Sequence, residues 1–246
     1  MQSIGHRRED FGIMGVMDAG TLAASVEGTV LIGPFDRGRY ATDASFYQMI
    51  PAGVVVPKRF EDVEATLAFA RAEGLSVTGR GGGTSQSGQT VGRGLVVDFS
   101  KHLAGLLELD VENRRAVVQP GLVLDDLNRM LKPHGLWFPV DVSTSSRATI
   151  GGMTANNSCG SRSLRYGRMR ENVLSVEALL ADGSRARFAD VPRAGPWPND
   201  AYGALTADMM ALAAREAAEI EARFPKVQRR VGGYNLDALV PSDLDA

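Results

Sequence analysis

Apolar positions along this chain switch between a period of two and a period near 3.6, and the switches mark its elements. Gly53-Val54-Val55-Val56-Pro57 is a β-branched run closed by proline, the pattern of a short buried strand. Glu61 to Glu73 follows with good helix formers, and Val63, Leu67 and Ala70 fall on one helical face. Gly74 is placed to end that helix, because glycine readily takes the left-handed conformation of a C-cap. Leu75-Ser76-Val77-Thr78 reads as a second strand, so residues 53–78 form a strand–helix–strand unit that implies parallel, right-handed pairing. Gly94 to Phe99 and Arg115 to Pro120 read as further strands. Leu122 to Lys132 reads as a helix carrying Leu124, Leu127 and Leu131. Asn172 to Leu180 continues the alternation up to a turn at Ala181-Asp182-Gly183-Ser184. A proline-rich connection over 191–199 then leads to one long helix, Tyr202 to Phe224, with Leu205, Met209, Leu212 and Ile220 on one side. Before Pro51 only a helix around Ala19–Val26 is legible.

Composition narrows the class. The chain has 246 residues, 44% of them hydrophobic and 23% charged, the mix of a folded soluble protein. Its net charge of −2 supplies no drive toward nucleic acid, and none is expected as a partner. No apolar run approaches the roughly 18 residues of a membrane span, and the opening MQSIGHRREDFG lacks a signal-peptide pattern, so a cytoplasmic location is expected. One cysteine, Cys159, excludes an internal disulfide and an all-cysteine metal site within the chain. His6, His102 and His134 are scattered, and no metal site is expected.

The 28 glycines are clustered, and the densest cluster, Gly79-Arg80-Gly81-Gly82-Gly83-Thr84-Ser85, follows a strand. Successive residues without Cβ let a backbone approach a ligand and turn its N–H groups onto phosphate oxygens. A tight turn without a ligand accounts for the loop equally well. A dinucleotide-binding fingerprint starting at Gly79 needs glycine where Thr84 stands, and it should open a helix rather than lead to a strand. A P-loop needs a lysine, and none lies between Lys58 and Lys101. No Gly-x-Ser-x-Gly elbow occurs, which ranks a hydrolase last.

A second polar, glycine-containing stretch runs from Pro139 to Gly160 and reads as a long functional loop rather than a core element. Cys159, with no histidine nearby in sequence, reads as a small loop residue rather than a nucleophile. The basic run Arg162, Arg165, Arg168 and Arg170 reads as a solvated surface, with an anionic ligand or partner as the alternative. Asp125-Asp126 favour the positive end of their helix, and His134 before Gly135 suits a helix C-terminus.

Arranged in order, these motifs resemble the FAD-binding domain of FAD-linked oxidases of the vanillyl-alcohol oxidase/p-cresol methylhydroxylase (PCMH) type. The shared run is Arg80-Gly-Gly-Gly-Thr-Ser85, Val96-Val-Asp-Phe-Ser100, Val118-Gln-Pro-Gly121, Thr149-Ile-Gly-Gly152, Asn156-Asn-Ser-Cys-Gly160 and Arg165-Tyr-Gly167. Gly233-Tyr-Asn-Leu236 adds a likeness to the D-lactate, glycolate and D-2-hydroxyglutarate dehydrogenase branch, and Ser161 to Gly167 to its large bacterial members with an appended iron–sulfur region.

The resemblance implies an α+β fold, a PCMH-type FAD-binding domain of two α/β subdomains with the flavin between them. It implies three stretches: an N-terminal extension over 1–45, the FAD-binding domain over 46–190, and a helical connection over 191–246. Arg80, Gly81, Gly82, Gly83, Thr84 and Ser85 would cradle the pyrophosphate. Pro139, Asp141, Ser145 and Ser146 would run beside the flavin, with Ile150, Gly151 and Gly152 packed against it. Asn157 and Gly160 would lie beneath the ring or ribityl chain, and Tyr166 and Gly167 would close that side. Some relatives attach FAD through a histidine where Thr84 stands here, so non-covalent FAD is expected. The implied reaction is oxidation of a 2-hydroxy acid by hydride transfer to FAD, with a small 2-hydroxy acid and an iron–sulfur region or subunit elsewhere as partners. The family's substrate cap and catalytic residues follow the region matched, so no catalytic residue is named, and the expectation is an inactive fragment. A non-catalytic nucleotide-binding module is the alternative.

Overall fold

The computed structural model describes residues 17–192, 195–227, 230–231 and 233–240, which form two compact units. His6 and the opening MQSIGHRREDFG lie outside the described residues.

The first unit comprises residues up to Gly79 together with Ser85–Asp98. Its elements are α1 (Ala19–Ser25), β1 (Thr29–Leu31), α2 (Pro34–Arg39), β2 (Gly53–Val56), α3 (Phe60–Ala72), β3 (Val77–Arg80, whose last residue belongs to the second unit) and β4 (Leu95–Asp98). The sheet order is β1-β2-β4-β3, with β1 antiparallel to β2 and β2 parallel to β4. The expected crossover from β2 through α3 is present, but it skips a place, and β4 fills the gap. Both central strands are buried throughout, which explains their unbroken apolar runs. One side of the sheet packs Val55 and Leu95 on Leu22 and Ala70, and the other gathers Val54, Val56 and Val96. On α3 the fully buried positions are Asp62, Val63, Thr66 and Ala70, while Leu67 is half-buried. Asp62 is 1% exposed and accepts main-chain N–H groups from Glu27 (2.9 Å), Gly28 (3.0 Å) and Lys58 (2.8 Å). Its carboxylate thereby ties the start of α3 to the turn before β1.

The second unit comprises Arg80–Thr84 and the chain from Phe99 onward. It contains the hairpin β5 (Leu106–Asp110) and β6 (Arg115–Val118), then α4 (Leu124–Leu131), α5 (Ile150–Ala155), α6 (Ser163–Tyr166) and α7 (Met169–Asn172). The hairpin β7 (Ser175–Leu179) and β8 (Arg185–Ala189) follows, then α8 (Ala201–Arg215) and α9 (Ala217–Arg223). The core of this unit is Leu122, Leu124, Leu127, Leu131, Val140, Ala148, Ile150, Met153 and Met169. A 3₁₀ turn over Lys132–His134 ends α4, and Gly135 caps it at φ 68°, a positive value that glycine adopts without strain.

Two expectations change here. The long C-terminal helix is two helices, broken at Glu216 (φ −98°, ψ 10°) within a run of good helix formers. Its buried positions are Gly203, Thr206, Ala213 and Ile220, whereas Leu205 is 41% exposed. Gly203 faces the carbonyl of Pro198 so closely that a Cβ would stand 1.7 Å from the oxygen, and this contact sets the face that turns inward. Among the described residues, no helix is long and apolar enough to cross a membrane.

Candidate cofactor site

The site predicted from sequence falls almost wholly within the second unit. The stretch 139–160 is pinned along 120–125 by main-chain hydrogen bonds. Leu124 N–H donates to Ala148 O (3.0 Å), Asp125 N–H to Ser145 O (3.2 Å), Ile150 N–H to Leu122 O (2.8 Å) and Gly151 N–H to Pro120 O (2.9 Å). Val140, Ala148, Ile150 and Met153 of this stretch are buried. It is therefore partly a core element, contrary to its reading as a loop. Its apolar residues are too irregularly spaced to register as helix or strand, because the chain enters and leaves the core between turns.

The glycine loop lies against that stretch. A Cβ on Gly81 would stand 2.1 Å from Thr149 Oγ1, and one on Gly82 would stand 2.2 Å from the Arg147 carbonyl oxygen. Gly83 has φ +66° and its missing Cβ faces the Arg80 guanidinium at 2.7 Å. The glycines at 81 and 82 are thus required by the approach of 80–84 to 147–149. This is a reason internal to the protein, and the sequence had suggested only a ligand or a turn. Thr149 is the residue sequence reasoning missed: 3% exposed, it caps α5 by accepting Gly152 N–H (3.4 Å) and receives Gly81. A threonine directly before the helical Ile-Gly-Gly segment was the available signal.

Gly151 fits against Pro120, where a Cβ would lie 2.6 Å from the Pro120 Cβ, while Gly152 is exposed. Pro139 and Ser145 are half-buried and Ser146 is exposed. Asp141 accepts Ser161 Oγ–H (2.8 Å) and Arg162 N–H (2.9 Å). Partial burial acts to raise its pKa, but these hydrogen bonds and the Arg162 charge outweigh it, and the carboxyl is held below its usual range. Asp141 therefore folds 160–162 back onto 141 rather than standing ready as a base. Ser85 alone lies in the first unit, where its Oγ accepts Ser87 N–H (3.3 Å).

Asn157 sits at φ 45°, its Oδ1 accepting Arg170 N–H (3.0 Å). Its Nδ2 is buried with no partner among the described residues. A buried amide donor left unmade costs roughly 1–3 kcal/mol, so an absent acceptor is the economical explanation. Arg170 belongs to α7, which Glu171 anchors. Glu171 accepts Arg168 Nη2–H (2.6 Å), Arg168 N–H (2.7 Å) and Arg170 Nε–H (3.0 Å). The hydrogen bond from the Arg168 side chain leads in lowering the Glu171 pKa to about 2. Arg168 also donates to the Arg230 carbonyl, and Arg230 pairs with Asp237 at 2.5 Å. Arg168, with 16% of its side chain exposed, is a structural tie rather than part of a solvated run.

Tyr166 is 40% exposed and meets Trp137 edge-on at 5.2 Å, and Gly167 turns the chain at φ 80°. Gly233-Tyr234-Asn235 faces Thr154–Asn157 across a concavity of about 330 Å³, placing that motif beside Asn157. The structure thus assembles loop 80–84, the stretch 139–152 and Asn157–Gly160 within one unit. A main-chain-rich surface with a buried, unsatisfied amide donor suits a nucleotide cofactor. Among the described residues, no His, Cys, Asp and Glu group could hold a metal ion.

The fold is the one solved for 6-hydroxy-D-nicotine oxidase from Arthrobacter nicotinovorans (TM-score 0.61, 21% identity, 68% of this chain and 36% of that one). Xylooligosaccharide oxidase from Myceliophthora thermophila matches similarly (TM-score 0.59, 23% identity, 69% and 36%). The FAD binding domain family matches residues 51–189, and the chain belongs to it; its cofactor is FAD. D-2-hydroxyglutarate dehydrogenase from Pseudomonas putida is 40% identical over 204 residues, 80% of this chain and 20% of that protein. Glycolate oxidase subunit GlcD from Bacillus subtilis is 37% identical over 60% of this chain and 32% of its own length. D-lactate dehydrogenase from Archaeoglobus fulgidus is 44% identical over 53% and 29%. The chain thus spans about a fifth of the length of the first of these relatives.

Proposed function

We propose that this chain is the FAD-binding portion of a flavin-dependent dehydrogenase that oxidises a 2-hydroxy acid such as D-2-hydroxyglutarate, D-lactate or glycolate. The observation that carries the reading is the seating of loop 80–84 on 147–149, and in the same unit Asn157 Nδ2 is a buried side-chain donor without a partner among the described residues. FAD, when bound, supplies the acceptor for the substrate hydride. The chain's own residues bind and orient it. Main-chain N–H groups of Arg80–Thr84 hold the pyrophosphate, with Ser85 beside them. Pro139, Asp141, Ser145 and Ser146 line the cofactor, Ile150–Gly152 pack on it, Asn157 Nδ2 donates to one of its acceptors beside Gly160, and Tyr166–Gly167 shut out water. Thr84 at the position of the attachment histidine supports non-covalent binding. A substrate domain, an iron–sulfur region and a cytoplasmic setting belong to the same proposal.

The test is reconstitution. Purified chain incubated with FAD and desalted is expected to be yellow, with a near-stoichiometric flavin band and quenched flavin fluorescence. Colourless protein at saturating FAD would sink the reading. ADP binding without flavin uptake would instead favour a nucleotide-binding module.

A further inference from the structure

Arg162 is the N-cap of the four-residue α6 and Arg165 lies within it, at positions i and i+3, which share a helical face. Each guanidinium rests on an aromatic ring, Arg162 at 5.1 Å from the Trp137 centroid and Arg165 at 5.4 Å from that of Tyr166. The two rings brace each other edge to face. Together with Ser161 and Leu164 these residues line an open concavity of about 560 Å³ within the second unit.

The charge there is not locked in an ion pair, although Asp141 feels that of Arg162. Arg168 and Arg170 share Glu171, but neither Arg162 nor Arg165 has an ion-pair partner among the described residues. The nearby carboxylate, Asp141, spends its hydrogen bonds on Ser161 Oγ–H and the Arg162 main-chain N–H. Stacking on aromatic faces orients a guanidinium while leaving its N–H edges open, and such an edge matches a planar carboxylate with two parallel hydrogen bonds. Two arginines held this way on one face suit a small ligand with two carboxylates.

We infer that Arg162 and Arg165, braced by Trp137 and Tyr166, form a carboxylate-binding subsite that selects a small dicarboxylic acid over a monocarboxylic one. In the proposed enzyme this makes a 2-hydroxy diacid the preferred substrate class. That last step rests on the 2-hydroxy-acid reading; anion capture itself does not.

The subsite is tested on FAD-free chain carrying Trp197→Phe, which leaves Trp137 as the only tryptophan. Its emission is titrated at constant ionic strength with D-2-hydroxyglutarate, D-lactate, inorganic phosphate and chloride. The expected result is a saturable change with the diacid, at a Kd at least 10-fold below those for lactate and phosphate. Arg162→Gln and Arg165→Gln should each weaken it 10-fold or more, and Arg→Lys at either position less, with near-ultraviolet circular dichroism unchanged. A response no different from that of chloride overturns the subsite, and equal affinity for lactate overturns diacid selection. Phosphate binding as tightly, or loss of the response on saturation with FAD, assigns the arginines to a phosphate and overturns the carboxylate assignment. FAD uptake is measured in parallel by flavin absorbance. Diacid binding without FAD uptake sinks the cofactor reading alone, and the reverse sinks the subsite alone.

Discussion

The carbonyl oxygen of Asp141 occupies the space a side chain on Gly160 would need: a Cβ there would stand 1.4 Å from it. The Asp141 carboxylate binds just beyond, at Ser161 and Arg162. One residue therefore fixes the far end of the predicted flavin stretch with both its main chain and its side chain.

Gly160→Ala cannot be relieved by a rotamer change, since the obstacle is backbone. We expect a loss of about 3 kcal/mol or failure to fold, the upper range for overpacking. Urea unfolding monitored by circular dichroism measures it, and a loss below about 1 kcal/mol would show that 141 and 160 are not in this contact.

Gly81 and Gly82 make separable predictions. Gly81 meets the Thr149 side chain, so Gly81→Ala should recover part of its lost stability when combined with Thr149→Ala. Gly82 meets the Arg147 carbonyl, so Gly82→Ala should gain nothing from Arg147→Ala. Thermal midpoints of the two double-mutant cycles check this, and equal coupling in both would contradict the loop packing.

Asn157→Asp keeps the acceptor that receives Arg170 N–H and removes the unpaired donor. FAD affinity should fall roughly 10-fold or more, the equivalent of about 1.4 kcal/mol for a lost ligand hydrogen bond, and the FAD-free protein should unfold at a lower midpoint at neutral pH, because a charged carboxylate oxygen takes the buried place of Nδ2. Flavin fluorescence titration reads the first and thermal unfolding the second. Unchanged FAD affinity would leave Nδ2 without the assigned partner.

Glu171 governs acid sensitivity. Its pKa falls on folding from 4.5 to about 2, so its contribution is complete above pH 4.5 and disappears as pH drops toward 2. Wild type should therefore exceed Glu171→Gln in stability by a constant amount at neutral pH, and the gap should narrow through that window. Parallel denaturant curves from pH 7 to pH 3 test the sign, and a gap that widens on acidification would refute it.

Asp62→Asn leaves the N–H groups of Glu27, Gly28 and Lys58 facing an amide in place of a carboxylate. The expected cost is about 2 kcal/mol, typical of charge-assisted bonds to a buried group, read as a lower urea midpoint with unchanged slope. A shift within experimental error would remove Asp62 from the anchoring role.

Much of this protein is decided locally and was legible in order. Strand β2 is a β-branched run ended by Pro57, α3 ends before Gly74, and Gly135 caps the turn after α4, because each depends on the conformational range of a few neighbouring residues. The order of the short motifs also carried the family, since close packing of loop on loop demands glycine at particular places whatever surrounds them. Tertiary structure alone decided the rest. It inserted β4 between β2 and β3, broke the C-terminal helix at Glu216, turned Gly203 rather than Leu205 inward, and drew Val140, Ala148, Ile150 and Met153 into the core. It also revealed that Gly81 and Gly82 answer to Thr149 and Arg147, and that Arg168 pairs with Glu171 while Arg162 and Arg165 stack on Trp137 and Tyr166. These outcomes depend on which distant backbone or carboxylate arrives beside a residue, and no local period or propensity encodes that arrival.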